Sequence, residues 1–277
     1  MDRPFRLARF LIRVSGPEGR SFLNNVLTQS VENSAAEPLY AALLSPQGKL
    51  QADMMLWPDD DGLIIDADPA FGPDLMRRLM MYKLRADATL EDVSEALAVA
   101  FSPERFDGAH PDPRLPRLGW RKLISSEAAA GLEDGAEIYD ALRLRLGVPD
   151  LARDCEPEQV FALEALLEEL NGVDFHKGCF VGQENVSRMK RRATTRKKFC
   201  PVVFEGDAPA FETPIRAGEA ELGTIRSGAV GRAIALIRLD RAVEAIEQNR
   251  TLTAAGREMR LDPPDWLILP QRKAGQD

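Results

Sequence analysis

Three short apolar runs separated by turn chemistry constrain this chain most. Residues 39–44 are followed by Ser45-Pro46-Gln47-Gly48, residues 50–57 by Pro58-Asp59-Asp60-Asp61-Gly62, and then come residues 63–67. Pro at the second and Gly at the fourth position suit a type I turn. Short runs bounded by such turns read as strands, and in succession they predict an antiparallel meander. Residues 7–14 predict a further strand. The Ser15-Gly16-Pro17-Glu18 run then opens a helix whose buried stripe is Phe22, Leu23, Val26 and Leu27.

Further along, residues 71–82 and 138–146 read as helices, the second ended by Gly147 and Pro149. Residues 88–93 and 97–101 read as strands, and the four prolines within 102–119 mark a loop. The clearest helical spacing is Leu163, Leu166, Leu167 and Leu170, which predicts a helix over 159–170. After Lys198 the texture changes to short strand candidates at 199–204, 213–217, 223–226, 233–238, 251–254 and 258–261. That spacing predicts a small C-terminal β-barrel. At 277 residues the chain exceeds one ordinary core, so two or three domains are expected.

Composition narrows the function. No run of about 18 apolar residues predicts a membrane span, and the first residues lack a signal peptide's apolar stretch, so a cytoplasmic location is expected. Cys155, Cys179 and Cys200 are the three cysteines, too few and too widely spaced for a disulfide framework. With His110 and His176 as the only histidines, no resident metal site is expected. A net charge of −8 argues against nucleic acid as partner. Yet residues 185–204 hold no acid and seven bases: Arg188, Lys190, Arg191, Arg192, Arg196, Lys197 and Lys198. Such a patch reads either as a solvated face or as the seat of an anionic ligand, since arginines bind carboxylates well.

The run Lys177-Gly178-Cys179-Phe180-Val181-Gly182-Gln183-Glu184 is the candidate site. Gly178 and Gly182 permit tight positive-φ turns and close approach. Cys179 lies between Lys177 and the arginine-rich stretch, and nearby cations favour a thiolate; the bland alternative is a buried structural cysteine. Glu184 is either a solvated residue at a helix start or the acceptor of the paired N–H groups that a pterin offers, a strong bidentate arrangement.

That run resembles the signature of the YgfZ-type folate-binding proteins, relatives of the glycine-cleavage T-protein. Leu43-Leu44-Ser45-Pro46-Gln47-Gly48-Lys49, Tyr139-Asp140 through Pro149, and Gly223-Thr224-Ile225-Arg226-Ser227 resemble other parts of that family. The resemblance implies an α+β fold with three domains in a cloverleaf. Residues 1–197 would form a folate-binding region of two interleaved subdomains, and 198–277 the barrel. It implies tetrahydrofolate or a one-carbon derivative as cofactor. It also implies a role in assembling or repairing iron–sulfur enzymes, with cluster-assembly factors or client proteins as partners. Cys179 and Lys177 would do the chemistry. Asp53, Glu184, Gln183, Gly178, Phe180, Gly182, Arg188 and Arg196 would bind the folate, Glu184 facing the pterin. The alternative is a folate-dependent aminomethyltransferase like T-protein. Against it, the adjacent aspartates of T-protein are Ala52-Asp53 here, and a further family aspartate is Ser30.

Overall fold

The computed structural model describes residues 3–31, 37–192 and 195–269. The meander forms as expected: β3 (Leu39–Leu44), β4 (Leu50–Asp59) and β5 (Gly62–Ala67) are consecutive antiparallel neighbours. β2 (Phe10–Ser15) and β6 (Thr89–Asp92) extend them into a five-stranded sheet ordered β3-β4-β5-β2-β6. One face carries Ile12, Val14, Leu56 and Ile65 into the main core beneath α1 (Gly19–Val26) and α2 (Gly72–Lys83). The other face carries Leu11, Met55, Trp57 and Ile64 against Val99 of the second sheet. Because side chains alternate between faces, a sheet covered on both sides needs apolar residues at nearly every position. That requirement explains the apolar stretches 54–57 of β4 and 63–65 of β5.

The second sheet is ordered β1 (Phe5–Leu7), β7 (Leu97–Ser102), β9 (Trp120–Ser125) and β8 (His110–Pro111). The single strand expected over 7–14 is therefore two strands. The chain leaves one sheet after Leu7 and enters the other at Phe10, so the two sheets interleave in sequence. Three short helices follow: α3 (Ser126–Ala129), α4 (Ala136–Leu146) and α5 (Leu151–Asp154). α4 stops at Gly147, whose φ of 75° is the left-handed cap.

The helix expected over 159–170 is not formed. Leu166 has φ 62° and Asn171 φ 58°, which breaks the helical ladder into successive turns. Neighbouring chains take the backbone groups instead: Leu50 N–H donates to Val160 O at 2.9 Å and Phe199 N–H to Glu164 O at 3.2 Å. The leucines remain buried, so burial satisfies their spacing without a helix.

After α6 (Gln183–Arg192) the last region closes as a six-stranded barrel. It comprises β10 (Lys197–Val203), β11 (Pro214–Ala217), β12 (Ala220–Ala229), β13 (Arg232–Arg238), β14 (Leu252–Ala254) and β15 (Arg257–Leu261). The helix α7 (Leu239–Glu247), which the strand pattern did not foretell, joins β13 to β14.

One buried network ties the barrel to the rest. The fully buried Arg143 on α4 donates to Asp140 Oδ1 (2.7 Å), to Asp154 Oδ2 (3.3 Å) and to Ser227 Oγ of β12 (2.8 Å). Ser227 N–H returns a bond to Asp154 Oδ1 at 2.8 Å. Removing one partner of such a network strands a buried charge. Arg143→Ala is expected to cost about 3–5 kcal/mol in urea unfolding.

Candidate functional site

Two groups of residues face different surroundings. The first is the signature loop. Lys177 turns its ammonium onto the end of α1, donating to the carbonyls of Asn24 (2.6 Å), Leu27 (2.7 Å) and Gln29 (2.8 Å). A cation at a helix C-terminus satisfies carbonyls left without intrahelical partners. These three bonds make Lys177 a brace of the loop, with its donors engaged on the backbone. The preceding segment is anchored at Thr28, which donates to Gly172 O at 2.5 Å and accepts from Ala42 N–H at 2.8 Å.

Gly182 shows why glycine is required. Its φ is 81°, and a Cβ there would lie 2.6 Å from Ser45 O and 2.9 Å from Gly48 Cα. A Cβ on Gly48, φ 79°, would in turn meet Asn185 Cβ at 2.9 Å and Gly182 O at 3.2 Å. The tip of the β3–β4 hairpin and the signature therefore meet glycine to glycine, and Asn185 Nδ2 donates to Gln47 O at 2.7 Å to seal the contact. Gly178 is different: its φ is not positive and a Cβ there would meet nothing within 4 Å.

Beyond this clamp, Cys179 is exposed, whereas Cys155 and Cys200 are buried. Burial pushes the Cys200 thiol up to about 12 and raises that of Cys155 further. Phe180 is buried under the Lys177 ammonium, 5.4 Å from its ring centre. Gln183 and Glu184 open α6: Gln183 Nε2 donates to Gly178 O at 3.3 Å, and Glu184 is exposed. Arg188 is exposed on α6 and donates to Asn185, while Arg196 stands 4.0 Å from Asp240.

The second group surrounds Asp53. A narrow cleft between the two sheets and α4–α5 is walled by Arg9, Tyr40, Asp53, Arg114, Arg121 and Tyr139, with Asp68 and Asp150 at its margin. Its free volume is about 20 Å³, room for one water molecule. Tyr40 donates its hydroxyl to Asp53 Oδ2 at 2.9 Å. Burial raises the pKa of Asp53 above the ordinary carboxylate value, and the charges of Arg114 and Arg9 and the Tyr40 bond only partly oppose it. The same burial, with the Asp53 charge adding, holds the Tyr40 phenol well above its usual range. Arg114 is held by Asp112 through Nε (3.0 Å) and Nη2 (2.7 Å), and Nη2 also reaches the Tyr139 hydroxyl at 2.7 Å.

The structure does not bring Asp53 and Glu184 to one cavity mouth: Asp53 walls the cleft, and Glu184 is exposed at the start of α6. None of Lys177, Gly178, Cys179, Phe180, Gly182, Gln183, Glu184, Arg188 or Arg196 walls the cleft. The signature docks at the hairpin tip, and Asp53 lies five residues up β4 from Gly48, roughly 17 Å in extended chain. Sequence reasoning missed Tyr40, Arg9, Arg114 and Arg121. The Asp112-Pro113-Arg114 run held a local hint, but only the fold shows that these charges are buried. A concavity of about 1120 Å³ lies on the barrel beside Phe204, Ile246 and Arg257 and shares no residue with either group.

Among the described residues no three histidine, cysteine or carboxylate side chains are grouped to hold a metal ion, and no helix is long and apolar enough to cross a membrane. Residues 196–268 match the family model of the CAF17 C-terminal β-barrel domain. The mitochondrial iron–sulfur cluster assembly factor IBA57 of Mus musculus is 31% identical over 84% of this chain and 77% of its own length. The chain belongs to the IBA57 family. The Homo sapiens member is 29% identical over 95% of this chain and 84% of its own. The Neurospora crassa homologue is 28% identical over 94% of this chain, which spans 65% of that relative's length. The fold of this IBA57-family chain matches the glycine cleavage system aminomethyltransferase T from Bartonella henselae. The TM-score is 0.76 at 13% identity, covering 98% of this chain and 88% of that one. At that identity the likeness is one of fold.

Two outcomes are expected. Gly182→Ala should destabilise by about 2 kcal/mol or more through strain at positive φ, while Gly178→Ala stays within about 0.5 kcal/mol, both read by urea unfolding. A raised folded pKa means that Asp53 favours folding while protonated and that this contribution is lost as pH rises through that pKa. Asp53→Asn should therefore raise the thermal midpoint at neutral pH, and the gain should fade on acidification toward about pH 4.

Proposed function

We propose that the protein binds tetrahydrofolate or a one-carbon derivative and serves the assembly or repair of iron–sulfur enzymes, with Cys179 as its working thiol. The observation that carries this reading is the exposure of Cys179 on a loop clamped from both sides, against the burial of the other two cysteines. A thiolate that meets a cluster held by another protein must stand at the surface. One cysteine falls short of the about four ligands a cluster takes. The remaining ligands would come from a client or an assembly factor, with the cluster as cargo. The exposed Arg188, Arg191 and Arg192 on α6 favour an acidic face on that partner.

Folate belongs, in this reading, to the Asp53 cleft within residues 1–197, with residues 198–277 as a separate barrel domain. A pterin offers an N–H and an amino group side by side, and one carboxylate accepts both. Tyr40 fixes the Asp53 carboxylate, and the aromatic rings of Tyr40 and Tyr139 supply the flat walls such a ligand packs against. With room for one water in the cleft, a wall must move to admit the ring.

Calorimetry with tetrahydrofolate is expected to show binding to wild type. Asp53→Asn should weaken it by about tenfold or more, a loss of about 1.4 kcal/mol, and Glu184→Ala should leave it unchanged. Equal affinity in Asp53→Asn would remove the proposed pterin contact. Cys179→Ala should bind folate normally yet fail to restore cluster-dependent enzymes in a strain lacking the gene; full restoration would take the thiol out of the mechanism.

A further inference from the structure

Arg121 is the one residue of the cleft whose chemistry is left incomplete. It rises from β9 and is 2% exposed. Its Nε lies 3.1 Å from Asp112 Oδ2, an ion pair without hydrogen-bond alignment, and both Nε and Nη1 are buried with no acceptor among the described residues. The carboxylate it faces is already engaged. Arg114 takes both oxygens of Asp112 through Nε and Nη2, and its own backbone N–H donates to Oδ1 at 3.1 Å. One fully buried aspartate thus serves two buried guanidiniums, which leaves a positive charge and free N–H donors in the cleft wall.

Buried donors are almost always paired, so an orphan calls for an explanation. Packing does not supply one. The guanidinium lies 4.9 Å from the Tyr139 ring centre, a contact that engages its face and leaves the in-plane N–H groups unused. Arg9, by contrast, donates to Asp66 through Nε to its carboxylate and Nη2 to its carbonyl. Among the cleft's three arginines, Arg121 alone offers buried donors without an acceptor.

We infer that Arg121 is the specificity-determining donor of the cleft, pairing with the carbonyl oxygen of a 4-oxo pteridine whose amino edge faces Asp53. This rests on the folate reading above. A 2-amino-4-oxo pteridine carries, along one edge, two donors and then an acceptor. An aspartate and an arginine in the same cleft are the complement of that order. A 4-amino pteridine replaces the acceptor with another donor and turns the neighbouring N3–H into an acceptor. Arg121 would then face an amino group with its own donors still unmet, and Asp53 would lose one of its two donors; only the Arg121 variant separates the two shares. Sites built to hydrogen-bond a group reject analogues that leave their buried polar atoms unpaired.

The test compares tetrahydrofolate with 4-amino-4-deoxytetrahydrofolate by calorimetry on the full chain, for wild type and for Arg121→Met, with near-ultraviolet circular dichroism as the check of fold. Wild type is expected to favour the 4-oxo ligand by about 100-fold or more. Arg121→Met should lose most of that preference while still binding the 4-amino ligand. Wild type that binds both ligands within threefold overturns the inference and leaves the folate reading standing. The absence of a wild-type preference overturns the inference even if the variant does not fold. Wild type that binds neither overturns both. A folded Arg121→Met that keeps the full preference assigns the discrimination elsewhere and overturns the inference alone.

Discussion

The backbone contact between Gly48 and Gly182 holds the functional parts in relation to one another. At the tip of the β3–β4 hairpin two segments of the chain approach so closely that neither position has room for a Cβ, and both residues sit at positive φ. The contact joins two segments more than 130 residues apart in the chain. On one side it fixes the loop that displays Cys179. On the other it fixes the hairpin that carries Tyr40 and Asp53 into the interior. The three carbonyl bonds of Lys177 to the end of α1 brace the same loop from behind. A thiol held this way is presented by a rigid scaffold rather than by a free loop, which limits the ordering cost of meeting a partner.

This clamp also explains why the thiol and the buried carboxylate occupy separate surroundings. β4 runs inward from the clamped tip, so a residue a few positions along it lies well inside the molecule. The exposed end of the hairpin and its buried middle are parts of one rigid unit. The cleft itself is electrostatically demanding. Arginines and aspartates alternate around it, and desolvation shifts Asp53 upward despite nearby cations. Burying charge in this way does little for stability. Its persistence in the middle of the fold agrees with a ligand site.

Much of the fold was legible in local chemistry. The Pro46 and Gly48 turn, the Asp-rich turn before Gly62, and the strand spacing after Lys198 each correspond to structure at the expected place. Local patterns misled where tertiary contacts took the backbone. The leucines at 163, 166, 167 and 170 kept their buried spacing, but Leu166 went left-handed because β4 and β10 supplied hydrogen-bond partners. The break after Leu7 was invisible because both halves are apolar and either sheet accepts them. For the site, the signature pointed to a loop whose cysteine is exposed, unlike the other two. It did not show that Lys177 would spend its donors on α1, or that Glu184 would face outward.

What the sequence alone determined was the set of local constraints: which segments are strands, which glycines permit close approach, which stretch is basic, and that the cysteines are too few to hold a cluster unaided. These follow from backbone sterics and composition, which act within a few residues. Which cysteine is accessible, which arginine is buried without a partner, and which charges share a cleft with Asp53 were decided only by tertiary structure. Burial and pairing depend on residues distant in the chain, and desolvation, which sets their energetics, has no counterpart in local sequence.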